Sequence, residues 1–154
     1  MSACSPSDAT NPGEDTVTDE ISEIGTAVEV DPDDISLFGY GVRRNVDEDR
    51  CPEVDDGDRW IAERSAIMKG ASQTSVIDAL VSHYRGLGAE LHLYKSTASE
   101  SRILYVLDRD RKIHLEAVLD ANGRASVFVK HSPCGVENDG TEPNGPFEPE
   151  ALPT

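Results

Sequence analysis

The chain is poor in aromatic side chains, long apolar runs and basic residues at its ends, and each shortage excludes something. Aromatics make up 5% of the 154 residues, and none precedes Phe38. The stretch to Asp34 therefore lacks the large side chains that dominate core burial. No run of eighteen or more apolar residues occurs, so hydropathy gives no membrane-spanning helix. No basic segment leads into an apolar one at the start, so no complete signal peptide is expected within the chain. Also absent are a phosphate loop, a G-x-S-x-G elbow, a G-x-G-x-x-G turn and the H-E-x-x-H spacing of a zinc site. The expectation is a non-enzymatic protein with no metal and no cofactor.

What is present is acid, and its placement is uneven. The formal net charge is −16. Residues 1–58 hold 17 Asp and Glu against 3 Lys and Arg, residues 59–134 hold 8 against 11, and residues 135–154 hold 5 against none. Acidic ends flank a slightly basic middle. A folded surface adapted to high salt would itself be acidic, and a phosphate-binding domain would not carry such ends, so nucleic acid is excluded as a partner. Ser, Thr, Pro and acids dominate both ends, which cannot bury enough surface to offset a chain entropy of ~1–2 kcal/mol per residue. Residues 1–34 are thus expected to be a disordered tether and residues 135–154 a disordered tail. The α+β domain is expected over 35–134, with its core in 59–134, as a monomer. The basic turn DRDRK at 108–112 fits the protein's own acidic ends as well as it fits a ligand.

Three cysteines, at 4, 51 and 134, leave one over. Cys51 and Cys134 bracket the foldable part, each beside a proline, as at chain ends rather than in core strands. A bridge between them would close a loop of about 84 residues and contribute ~4–5 kcal/mol on the chain-entropy model. The alternative is a pair of buried thiols.

The remaining cysteine stands in Met1-Ser2-Ala3-Cys4. Ser2, Ala3 and Cys4 fill the last three positions of a bacterial lipobox, with Met1 where Leu is usual. With the acidic linker and the bracketing cysteines ending in Ser-Pro-Cys, the organisation resembles small cell-surface lipoproteins of high-GC Gram-positive bacteria. The resemblance implies that Cys4 is lipidated, that the domain is extracytoplasmic and membrane-anchored, and that its environment is oxidising. It carries no catalytic motif.

TSVIDALVSHYRGLG (74–88) places Val76, Ile77, Leu80, Val81, Tyr84 and Leu87 on one helical stripe, with Ser75 or Thr74 as cap and Gly88 as stop. Four strand-like runs follow, at 89–95, 102–108, 112–119 and 125–131. Short connections make them an antiparallel meander, and Asn122-Gly123 predicts a type I′ hairpin turn. The fold class is one main helix on a four-stranded antiparallel sheet. Alternation gives Leu91, Leu93, Ile113, Leu115, Ala117, Val127 and Val129 to the helix-bearing face. His92, Tyr94, His114, Glu116, Val118, Phe128 and Lys130 fall on the other. That second face is too apolar to be simply solvated, so residues 35–41 or 59–68, with Trp60, are expected to cover part of it. A residual groove around His92, Tyr94, His114 and Phe128 is the candidate binding face for an envelope protein or small ligand.

Two near-matches to metal chemistry fail. His114-x-Glu116 with Pro133-Cys134 is similar to the zinc deaminase signature, but Glu137 stands where its second thiolate belongs. The acids around Cys51 miss the calcium-loop register, since Pro52 and Val54 occupy two ligand positions. The expected function is a membrane-tethered, non-enzymatic binding or accessory module of the cell envelope. The alternative is a small cytosolic or phage-derived interaction or immunity protein that turns acidic ends on a basic partner.

Overall fold

A computed structural model of the chain describes residues 11–44, 46, 51–136 and 140–154. It is an α+β fold in which the acidic ends are structural. Helix α1 spans Glu14–Ala27 and α2 spans Gln73–Gly86. The strands are β1 (Ile35–Arg44), β2 (Trp60–Lys69), β3 (Glu90–Ser96), β4 (Arg102–Asp108), β5 (Ile113–Leu119), β6 (Arg124–His131) and β7 (Phe147–Glu150). They form one sheet in the order β1-β2-β6-β5-β4-β3-β7, with every neighbouring pair antiparallel.

The four expected strands are there, within a residue or two of their expected ends, but among the described residues the sheet has seven strands rather than four and carries two helices rather than one. Segments 35–41 and 59–68 do not lie across the sheet. They extend it as β1 and β2, with Ala66 of β2 opposite Val127 of β6 and Leu37 of β1 opposite Ala66. The reason is backbone satisfaction: a β-rich segment beside an open edge fills its hydrogen bonds by pairing. The register of β1 shifts by one residue at a bulge between Phe38 and Gly41, where Gly39 takes a φ of 67°.

Residues 14–34 are likewise not disordered. In α1, Val17, Ile21, Ile24 and Val28 recur at helical spacing and are at most 8% exposed in the core. Glu14 and Asp15 sit in the first turn, where acids favour the helix dipole. Gly13 precedes it with a φ of 76°, and a Cβ there would lie 2.6 Å from the Trp60 ring. Trp60 thus packs beneath the start of α1 on the helix-bearing face, edge-on to His131, and not on the second face as expected. At the other end Glu29 takes a left-handed φ of 59°, and the Val30 amide reaches back to the Gly25 carbonyl.

α2 begins one residue before the expected start. Its cap is Ser72, whose hydroxyl accepts from the Ser75 amide at 3.1 Å, rather than Ser75 or Thr74. Gly88 has the expected left-handed φ, 77°. Both helices pack on one face of the sheet, and the core between them takes Leu93, Leu104, Val106, Leu115, Ala117, Val127 and Val129. The β5–β6 hairpin forms without a type I′ turn. Only Gly123 has positive φ there, and Asp120 Oδ1 instead accepts from the Asn122 and Arg124 amides.

The cysteines settle as Cys51–Cys134, a disulfide. Beyond Cys134 the segment is again not a loose tail. Val136 is fully buried, the Gly140 carbonyl meets His114, and the Pro146 carbonyl accepts from the Thr97 amide. β7 then pairs with the outer edge of β3. The Ile21 side chain tests this account of α1. Ile21→Ala should cost about 2–5 kcal/mol, the range for buried Ile, measured by urea denaturation of the oxidised protein. A change near zero would mean that α1 is not part of the core.

Candidate binding face

The second sheet face is built by the alternation of six strands, β1 to β6. In one cross-strand row Phe38, Ser65, Phe128, Glu116, Tyr105 and His92 lie side by side. In the next, Ile67, Ser126, Val118, Ile103 and Tyr94 do so. The doubly apolar run of β4 resolves with Leu104 and Val106 toward the helices and Ile103, Tyr105 and Leu107 toward this face.

The face divides into a covered half and an open half. On the covered side His114 is 3% exposed, and its Nε2 donates to the Gly140 carbonyl at 2.7 Å. Its Nδ1 is buried without a hydrogen-bond partner. The Tyr105 ring lies 6.1 Å from His114 and 6.0 Å, edge-on, from Tyr94. Burial, then the nearby Glu116 charge, pushes the Tyr105 hydroxyl up to about 12, so it stays protonated at neutral pH. His92 is half-exposed at the margin. Its Nε2 meets Glu90 Oε2 at 2.6 Å, and Arg109 donates to Glu90 Oε1 at 2.6 Å. The hydrogen bond from His92, then the one from Arg109, holds the Glu90 carboxyl below its usual range.

The structure therefore does not gather the four expected residues into one groove. His92 belongs to a surface polar cluster with Glu90 and Arg109, His114 lies under the chain that follows Cys134, and Tyr94 packs edge-on to Tyr105. Phe128 belongs to the open half, where Phe38 is 45% exposed and Ile67 and Val118 are half-buried. Phe38 and Ile67 were not expected there, because their segments read as covers for the face. The signal was present in their β-branched and aromatic alternation, which suits a sheet strand.

The basic turn finds its partners within the chain. Arg111 forks both carboxylate oxygens of Glu20, at 2.9 and 3.0 Å, and bonds Asp108 at 2.7 Å. The amino group of Lys112 donates to the Pro133 carbonyl. A cleft of about 500 Å³ opens beside the start of α2, lined by Ser72, Gln73, Lys95, Ser99 and Arg102. Its two cations pair with Glu148 and Glu150 of β7. Among the described residues no three His, Cys, Asp or Glu side chains are grouped to hold a metal, and no described helix is long and apolar enough to cross a membrane. Cys4 lies outside the described residues. No protein-family model matches the chain, nor does any curated protein or solved structure.

The open half can offer apolar contact, with aromatic rings flanked by Glu116 and Lys130. Substitution separates the two faces. Phe128→Ser should cost about 1–2 kcal/mol, since a half-buried ring forfeits only part of its burial energy. Leu104→Ala on the helix-bearing face should cost about 2–5 kcal/mol. Equal losses in denaturant midpoint would show that the second face is as closed as the first.

Proposed function

We propose that this chain is an extracytoplasmic domain held at the cell membrane through a lipid on Cys4, serving the cell envelope as a non-enzymatic binding or accessory module. The observation that supports this most is the Cys51–Cys134 disulfide. It is the chemistry of an oxidising compartment, and it leaves Cys4, behind Ser2 and Ala3, as the cysteine outside the bridge.

The fold changes how such an anchor would work. Only six residues separate Cys4 from Asn11. At ~3.3–3.6 Å per residue, the domain could stand only about 20–25 Å from its lipid. It would work at the membrane surface rather than on a long tether. The net charge of −16 would add no attraction to anionic headgroups, so retention would depend on the acyl chains. The rival reading, acidic ends presented to a basic partner, has less support. Glu14, Glu20, Glu148 and Glu150 are each engaged by a cation of the same chain.

The test is metabolic labelling with a palmitate analogue in the natural host, from the natural gene. The wild-type protein should be labelled and sediment with membranes. Cys4→Ser should be unlabelled and released, with an unchanged melting temperature. An unlabelled wild-type protein would overturn the lipoprotein reading.

A further inference from the structure

The two edges of the sheet are finished differently. β7 is four residues long, carries Pro149 and places Glu148 and Glu150 along its length. Shortness, proline and charge are the features that keep an edge from pairing. β1 is neither short nor broken by proline, and its only charges, Arg43 and Arg44, lie at its end. It runs ten residues without proline or acid, and among the described residues only β2 pairs with it. Leu37 and Phe38 in its middle are 43% and 45% exposed. An edge that no described strand covers offers backbone donors and acceptors to another strand.

We propose that the outer edge of β1 is a self-recognition surface, through which two copies of this chain pair antiparallel, β1 to β1, into one continuous sheet. The charge pattern selects a second copy over an unrelated strand. Asp33 and Asp34 immediately precede β1, and Arg43 and Arg44 end it. Antiparallel self-pairing brings the acidic end of each copy to the basic end of the other. The pleat agrees. In a continuous two-fold sheet both helix-bearing faces lie on one side, so opposed residues must share a face. The bulge shifts the phase of β1, giving Leu37 before it and Tyr40, Val42 and Arg44 after it to the helix-bearing face. A two-fold axis between Phe38 and Gly39 satisfies both conditions at once. It sets Leu37 opposite the second copy's Tyr40 and Ile35 opposite its Val42, which brings the turn carrying Asp33 and Asp34 to the end of the second copy's strand at Arg44. This replaces the expectation of a monomer, and it does not depend on the lipid anchor.

Sedimentation equilibrium of the full oxidised chain, over a series reaching millimolar concentration, tests it. The mass should rise from monomer to dimer and stop there. Arg44→Asp and Asp33→Arg should each weaken association by about tenfold, allowing for exposed, symmetry-doubled ion pairs. The double variant should recover it, because each copy then carries both reversed charges. Phe38→Lys sets two like charges beside the axis and should abolish the dimer while leaving the melting temperature of the monomer unchanged. A chain that stays monomeric throughout, as it would if the edge served an extended peptide of another protein, overturns the proposal. So does a dimer indifferent to Phe38→Lys, or a double variant that fails to recover.

Discussion

The fold turns on a carboxylate in the wrong place. Glu20 lies in the acidic N-terminal stretch, yet its side chain is 2% exposed. A bare carboxylate there would cost several kcal/mol in lost hydration. Arg111 makes the position tenable by forking both oxygens, while the Tyr84 hydroxyl donates to Oε2. Asp108 in turn holds the guanidinium through its Nε. Burial would lower the Arg111 pKa, but the hydrogen bonds to Glu20 and Asp108 outweigh it and raise it, so the group stays charged. Burial, then the Glu20 charge, raises the Tyr84 hydroxyl far above its usual range, which keeps its proton available for donation. One network thus joins α1, α2 and the β4–β5 turn. Removing Arg111 would leave Glu20 buried without its counter-charge, at a cost of about 3–5 kcal/mol.

The same logic repeats at the periphery. Arg64 of β2 holds Glu14 at the start of α1, and Lys95 and Arg102 hold Glu148 and Glu150 of β7. These pairs, partly exposed for Glu14 and Glu150 and exposed for Glu148, contribute little each, so they set the register of the ends more than they stabilise it. The charge partition that looks like two tails around a domain is a complementarity between the ends and the middle. The disulfide adds a covalent closure where β6 gives way to the segment that passes His114.

The parts legible in the sequence were those whose evidence is local. The stripe of α2 and the alternation of β3 to β6 are complete within short windows, and the cysteine arithmetic needed no geometry. α1 was hidden although Val17, Ile21, Ile24 and Val28 carry a helical stripe, because the acids around them set the composition, and the partner of Glu20 lies 91 residues away. β1 and β2 read as covers for the second face rather than as sheet members, since β2 joins β6 only after the chain has built α2 and three further strands. FEPE gives no strand signal at all. Pro149 is tolerated in β7 because that strand is an edge. For the binding face the sequence supplied the right set of alternating residues but not the cover, which is made by the segment that composition assigns to a tail.

The central claim is that the acidic ends are part of the cooperative fold. Native-state hydrogen exchange measures it directly, through the amides of Ile21 and Ile24 in α1 beside those of Leu115 and Val127 in the sheet. The account predicts that all four exchange only through global unfolding, with one common free energy. Exchange of Ile21 and Ile24 at the rate of a free peptide, while Leu115 and Val127 stay protected, would contradict it.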